Sequence, residues 1–234
     1  MPGDALECRH MCGRYAIYGP VSRANRDLIE FLGEEIAFSP AYNAAPSQEL
    51  PVMRAAAAGK RELTLLRWGL VPSWAKDPAI GARMINARSE TVAEKPAFRS
   101  AFRRRRCLVP MCGFYEWQKT GSRKVPHFVR LLNAEVFAVA GLHERWSGKE
   151  GAGPIDSYTI LTTGANDMMR ALHDRMPVIL QERDYDAWLD PANDAVESLQ
   201  PLLQPFPAEE MRAYPVSTRV NNARNNDPGL IEAT

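Results

Sequence analysis

What most limits the architecture of this chain is that its apolar residues come in short runs, each cut off by proline or glycine before a long helix could form. The runs "GRYAIYG", "ELTLLRWGLVPSW", "RCLVPMCGFYEW", "HFVRLL", "VFAVAGLHERW", "SYTILTT" and "PVIL" are rich in β-branched and aromatic residues and read as strands. The chain's 18 prolines and 15 glycines supply the punctuation. Four segments between the runs have helical spacing: residues 21–35, 89–104, 165–173 and 182–190, with Pro96 breaking the second. Strands and helices do not alternate as βαβ units, so the expected class is α+β, a largely antiparallel sheet with peripheral helices. No repeat or Gly/Ser linker divides the chain. Residues 148–156, "GKEGAGPID", read as a flexible hairpin loop. Residues 1–10 and the tail after Pro228 are expected to be poorly anchored.

With 234 residues, 45% of them hydrophobic, the chain can bury a sizeable core. No apolar run approaches the roughly 20 residues of a membrane span, and the first ten residues carry Asp4 and Glu7 without an apolar signal region. A cytoplasmic protein with no membrane association is expected. The formal charge is +1 but unevenly divided: residues 1–106 hold 17 of the 29 Lys and Arg. Most of the excess lies in "FRSAFRRRRC", with Arg99, Arg103, Arg104, Arg105 and Arg106. Such a cluster suits a polyanion such as nucleic acid, and equally a solvated helix end.

Four cysteines, Cys8, Cys12, Cys107 and Cys112, form two close pairs. Their C-x3-C and C-x4-C spacings are looser than zinc knuckles and the histidines are poorly placed to support them, so zinc is not expected; no other cofactor is expected either. Cys12 stands between Met11 and Gly13-Arg14, where a neighbouring cation favours the thiolate; an inert cysteine in the first strand is the alternative. Glu116 sits between Tyr115 and Trp117. A carboxylate among aromatics has a raised proton affinity suited to acid/base work, although an exposed strand glutamate would look the same. His173 lies where a helix end meets a strand, beside Asp174 and Arg175, either as a functional group or as a helix cap. In "MINARSET", Asn86 can orient a substrate oxygen and Arg88 can fork onto phosphate, while Ser89 can cap a helix. "LRWGLVPSWA" and "YNAAPSQ" supply Trp68, Trp74, Asn43 and Pro46: the tryptophans can stack on unpaired bases and the proline can wedge between them, while buried core tryptophan is the alternative and Trp74 is expected to be at least partly structural.

In order, "MCGRYA", "YNAAPSQ", "RWGLVPSWA", "INARSET", "RCLVPMCGFYEW", "AGLHERW", "TILTTGAN", "HDRMPVIL" and "VSTRVNN" resemble the SOS response-associated peptidase (SRAP) family of abasic-site processing proteins. The resemblance covers residues 11 to about 230. It implies one α+β domain, residues 11–234, on a barrel-like antiparallel sheet, acting as a monomer on single-stranded DNA with abasic sites, including junctions with duplex. It further implies a covalent adduct: an N-terminal cysteine offers its α-amine and thiol to the sugar aldehyde and closes a thiazolidine. Carried over by motif, Cys12 is the nucleophile, Asn86 positions it, Glu116 shuttles protons and His173 is the general acid that opens the sugar. Arg14, Asn43, Pro46, Trp68, Arg88, Thr162 and Arg175 are the implied DNA contacts. The family's reactive cysteine directly follows the initiator methionine, whereas "MPGDALECRH" precedes Met11 here. A translation start at Met11 is the favoured explanation; self-cleavage of the leader, as a peptidase, is a second, and a member impaired for want of a free amine is a third. Two rival functions remain on the sequence: an N-terminal-nucleophile glutamine amidotransferase, and a non-covalent reader of damaged or modified DNA.

Overall fold

The computed structural model of the protein describes residues 13–18, 38–56, 61–148 and 153–234. The expected helix at 21–35, together with Cys8 and Cys12, lies outside them. Among the described residues the strands are β1 (Tyr15–Ile17), β2 (Ala41–Ala44), β3 (Glu49–Ala55), β4 (Arg61–Trp68), β5 (Asn86–Arg88), β6 (Arg106–Met111), β7 (Gly113–Thr120), β8 (Arg123–Leu131), β9 (Phe137–Trp146), β10 (Ile155–Gly164), β11 (Arg175–Pro177) and β12 (Met211–Pro215). The α-helices are α1 (Arg99–Arg104), α2 (Tyr185–Leu189) and α3 (Val196–Leu199).

These strands make two sheets, largely antiparallel as the sequence predicts. The first has the order β12-β8-β7-β1-β2. The second closes on itself: β10 pairs with β4, then β3, β6 and β9 follow, and β9 returns to β10. The ten residues of β10 serve two partners along each edge, β4 then β5 in parallel on one side, β9 then β11 antiparallel on the other. Only Cys112 separates β6 from β7, and its N–H donates to Ala16 O at 2.7 Å, so the chain passes straight from one sheet into the other.

The core lies between the sheets and inside the closed one. Trp68 and Tyr158 are buried there with stacked rings, and Tyr15 from the first sheet tilts onto Trp68 at 5.2 Å. The Trp68 indole N–H donates to Ile85 O at 3.0 Å, which satisfies its one polar atom. Each such side chain contributes about 1.5–3 kcal/mol by leaving water. Gly69, which follows β4, has φ +119° and packs its backbone on Gly81, where a Cβ would come 2.6 Å from Gly81 O.

Three expectations need correction. The helices are shorter than the sequence spacing suggests: residues 89–98 coil through turns around Pro96 before α1 begins, and 165–173 keeps only a 3-10 turn at Met169–Ala171. The tail is anchored, because Asp227 caps a 3-10 turn at Pro228–Ile231, Leu230 is buried, and Thr234 N donates to Pro215 O at 3.1 Å. The arginine cluster is not one surface. Arg106 is buried and donates to five carbonyls, those of Phe102, Arg103, Trp188, Asp190 and Asn193, with its guanidinium over the Trp188 ring. Burial lowers its pKa to about 10, which leaves it charged at neutral pH. Arg105 pairs with Glu144 and Arg104 with Asp194, whereas Arg99 and Arg103 are exposed and make no ion pair among the described residues.

Candidate functional site

The site is built where β1 meets β7. Tyr15 lies opposite Phe114 and Ala16 opposite Gly113, and Tyr115 N donates to Arg14 O at 3.0 Å. On its other side Gly113 lets β7 pack closely on β8: a Cβ there would overlap Phe128 and come 2.6 Å from Val129 O. The chain thus enters β1 beside the stretch of β7 that carries Glu116. Alternation along β7 puts Phe114, Glu116 and Gln118 on one face, Tyr115 and Trp117 on the other. Glu116 is only 5% exposed, opposite His127 of β8.

Gln118, on the face of Glu116, donates from Nε2 to Ala171 O at 3.1 Å. This bond joins the first sheet to the loop that presents His173. The His173 Nδ1 lies 2.7 Å from Asp174 Oδ1 and 3.1 Å from the backbone N of Arg175. The first contact needs a proton on Nδ1 and the second needs a lone pair there, so they require different placements of the ring proton. When Nδ1 accepts from Arg175, the neutral ring carries its proton on Nε2 and can donate it.

The second sheet brings Asn86, Arg88, Thr162 and Arg175 to one end. In β5, Ala87 is buried while Asn86 and Arg88 share the other face; Asn86 is opposite Ile160 and Arg88 opposite Thr162. Across β10, Arg175 is opposite Gly164. Its guanidinium forks onto both carboxylate oxygens of Glu90 and donates to Thr162 O at 2.6 Å. That hydrogen bonding holds the Glu90 carboxyl below the usual carboxylate range. Thr162 is buried, with its hydroxyl donating to Ala87 O at 3.4 Å, so it sustains this corner rather than facing out.

Other residues singled out in the sequence fall elsewhere. Trp68 is 1% exposed in the core, which corrects the expectation of a base-stacking platform. Trp74, expected to be partly structural, is instead 59% exposed beside a shallow cleft with Lys76, Asp77, Ile80 and Arg83. Its position outside any strand alternation, between Pro72 and the charged pair Lys76-Asp77, was the signal for that. Asn43 is buried, with its carboxamide bonded inside the protein. Pro46 occupies a turn closed by Gln48 N donating to Ala45 O at 3.3 Å, and Ser47 in that turn has φ +73°. Positive φ in a residue other than glycine is strained, and it persists here because Ser47 N donates to Trp68 O at 2.8 Å and Gln48 Oε1 accepts from Ala45 N.

The two described cysteines, Cys107 and Cys112, are free and buried. Burial pushes the Cys112 thiol up to about 11 and the Cys107 thiol higher still. Among the described residues no three His, Cys, Asp or Glu side chains converge to hold a metal ion, and no helix is long and apolar enough to cross a membrane.

Residues 11–223 match the model of the family described as SOS response associated peptidase (SRAP). The abasic site processing protein YoqW of Bacillus subtilis is 44% identical over 228 residues, 95% of this chain and 100% of its own length. The abasic site processing protein HMCES of Xenopus tropicalis is 33% identical, covering 86% of this chain and 68% of its own. In fold, the crystal structure of a Bacteroides thetaiotaomicron protein superposes with a TM-score of 0.82 at 24% identity, over 95% of this chain and 100% of that one.

Proposed function

Because the chain belongs to the SOS response associated peptidase family, we propose that it processes abasic sites in single-stranded DNA by bonding Cys12 covalently to the opened sugar. An abasic deoxyribose opens to an aldehyde. The α-amine of a terminal Cys12 condenses with it, expelling one water and forming an imine, and the Cys12 thiol then adds across the C=N bond to close a thiazolidine. The thiol proton passes to the imine nitrogen, so the whole reaction releases one water.

The reaction divides the site residues by chemistry. Glu116, buried beside the entry to β1, moves protons between amine, water and thiol. His173, with its proton on Nε2, protonates the ring oxygen as the sugar opens. Asn86 orients the sugar from the face it shares with Arg88, and Arg88 and Arg175 draw the flanking phosphates. The Pro46–Ser47 turn and the exposed Trp74 offer rigid apolar surfaces to unpaired bases. The observation that carries the reading is the β1–β7 register, which leads the residues after Cys12 past a buried carboxylate. The family match beginning at Met11 supports it too, since loss of residues 1–11 gives Cys12 the free amine the chemistry needs.

Intact mass spectrometry before and after incubation with a single-stranded oligonucleotide carrying one abasic site tests this. A chain starting at Cys12, gaining the DNA mass less one water in a denaturant-stable product, is the expected result. Absence of any adduct from a chain that does start at Cys12 overturns the reading in favour of non-covalent binding.

A further inference from the structure

We propose that Asn43 is a positioning residue for this reaction: with the asparagine-rich loop at 219–226 it fixes the side chain of Arg14, two residues beyond Cys12, and so sets how β1 lies against β7. The inference rests on Cys12 being the reacting residue. It assigns the C-terminal loop to the reactive centre and takes Asn43 away from direct contact with DNA.

Asn43 is 2% exposed, and its carboxamide is turned inward. Its Oδ1 accepts from Arg14 Nη1 at 2.9 Å. Its Nδ2 lies 3.1 Å from Val220 O, 3.1 Å from Asn222 O and 3.0 Å from Asn225 O. Two N–H groups shared among three carbonyls leave no donor for a phosphate or a base. Arg14 Nη1 also donates to Val220 O at 3.0 Å, so guanidinium, carboxamide and loop form one closed arrangement. Meanwhile the Arg14 carbonyl is taken by Tyr115 N. Residue 14 is thus held by its backbone to β7 and by its side chain to β2 and the loop.

The loop is itself tied to β2 and β7. Asn226 accepts from Tyr42 N at 2.7 Å and donates to Pro40 O at 2.9 Å. Asn221 Oδ1 accepts from Trp117 Nε1 at 2.8 Å, next to Glu116. Asn225 donates to Arg219 O at 2.7 Å, and Val220 is fully buried beneath. Asn226 thus ties the loop to the backbone at the start of β2, Asn221 ties it to the Trp117 indole of β7, and Asn225 braces the loop itself. Misplacement of a reacting group by about 1 Å is enough to cost a large factor in rate.

The test compares wild type with Asn43→Ala in three measurements. One is the single-turnover adduct rate at saturating abasic oligonucleotide; another is the Kd for an undamaged oligonucleotide of the same length; the last is hydrogen exchange at Tyr15–Ile17. The expected result is a rate at least roughly tenfold lower with Kd within about threefold of wild type, and faster exchange in β1. A raised Kd with a wild-type rate at saturation overturns the proposal in favour of direct DNA contact. Unchanged rate and exchange overturn it outright. Should Asn43→Ala not fold, Asn226→Ala releases the loop from Tyr42 and Pro40 and is expected to give the same split in smaller measure; an unchanged rate there also counts against it. If wild type forms no adduct, the chemistry fails separately, and exchange in β1 alone decides whether the loop fixes the strand.

Discussion

The hydroxyls of Tyr15 and Tyr158 meet at 2.8 Å inside the protein, one from each sheet, and both side chains are fully buried. Replacing either by phenylalanine removes a bond between the sheets and is expected to cost about 1–2 kcal/mol. The double replacement costs less than the sum, and a double-mutant cycle on urea midpoints reads a coupling of about 0.5–1.5 kcal/mol. Strict additivity would mean that the pair does not interact.

Two positions with positive φ should respond in opposite directions. Gly69→Ala places a Cβ against Gly81 O in a conformation L-residues avoid, and should lower stability by about 2–4 kcal/mol. Ser47→Gly relieves strain in an exposed turn and should raise it by about 0.5–1 kcal/mol. Thermal unfolding of both variants reads the difference, and a stable Gly69→Ala protein would contradict the close packing of these two backbones.

His143 gives the fold a defined acid sensitivity. Burial first, then the guanidiniums of Arg54 and Arg105, lower its pKa from 6.5 to about 3. Between those values the unfolded chain takes up a proton that the folded protein refuses, so stability falls as pH falls from 6.5 towards 3, by up to ~1.4 kcal/mol per pH unit. Above pH 6.5 the histidine adds no slope. Urea midpoints at several pH values should therefore show a shallower acid slope for His143→Gln than for wild type. Parallel slopes would place the imidazole in water.

The arginine cluster predicts a division of labour. Arg106→Met leaves five carbonyls without their donor and should cost on the order of 3 kcal/mol. Arg103→Met, three residues away and exposed, should leave stability within about 0.5 kcal/mol. If Arg103 attracts the DNA backbone, its loss reduces the slope of log Kd against log salt by about one, which a titration at several salt concentrations measures.

The strands were legible because a half-buried strand writes its alternation into the chain: the order of residues in "GFYEWQ" is enough to assign Glu116 and Gln118 to one face. The closure of the second sheet follows from the family resemblance, and the strand patterns alone do not give it. Tyr158 pairs with Trp68 across 90 residues, and no local signal records such a partner. The same distance effect hides the role of single residues. Asn43 has the look of a DNA contact because its partners, the carbonyls of the 220–225 segment, are nearly 180 residues away. Trp68 and Trp74 exchanged roles because both stand in "RWGLVPSWA", and only tertiary packing decides which ring the second sheet covers. The helices were overestimated where Pro96 and tertiary contacts outweighed residue propensity.

The bonds from Arg14 and Asn43 to Val220 span 206 and 177 residues. During synthesis residue 14 leaves the ribosome long before residue 220 exists, so β1 cannot acquire these partners until the 220–225 segment has itself emerged. A folding intermediate that has completed the closed sheet but lacks residues 220–234 would hold every chemical group of the site except this clasp. The arrival of that late segment is therefore also the step that sets β1.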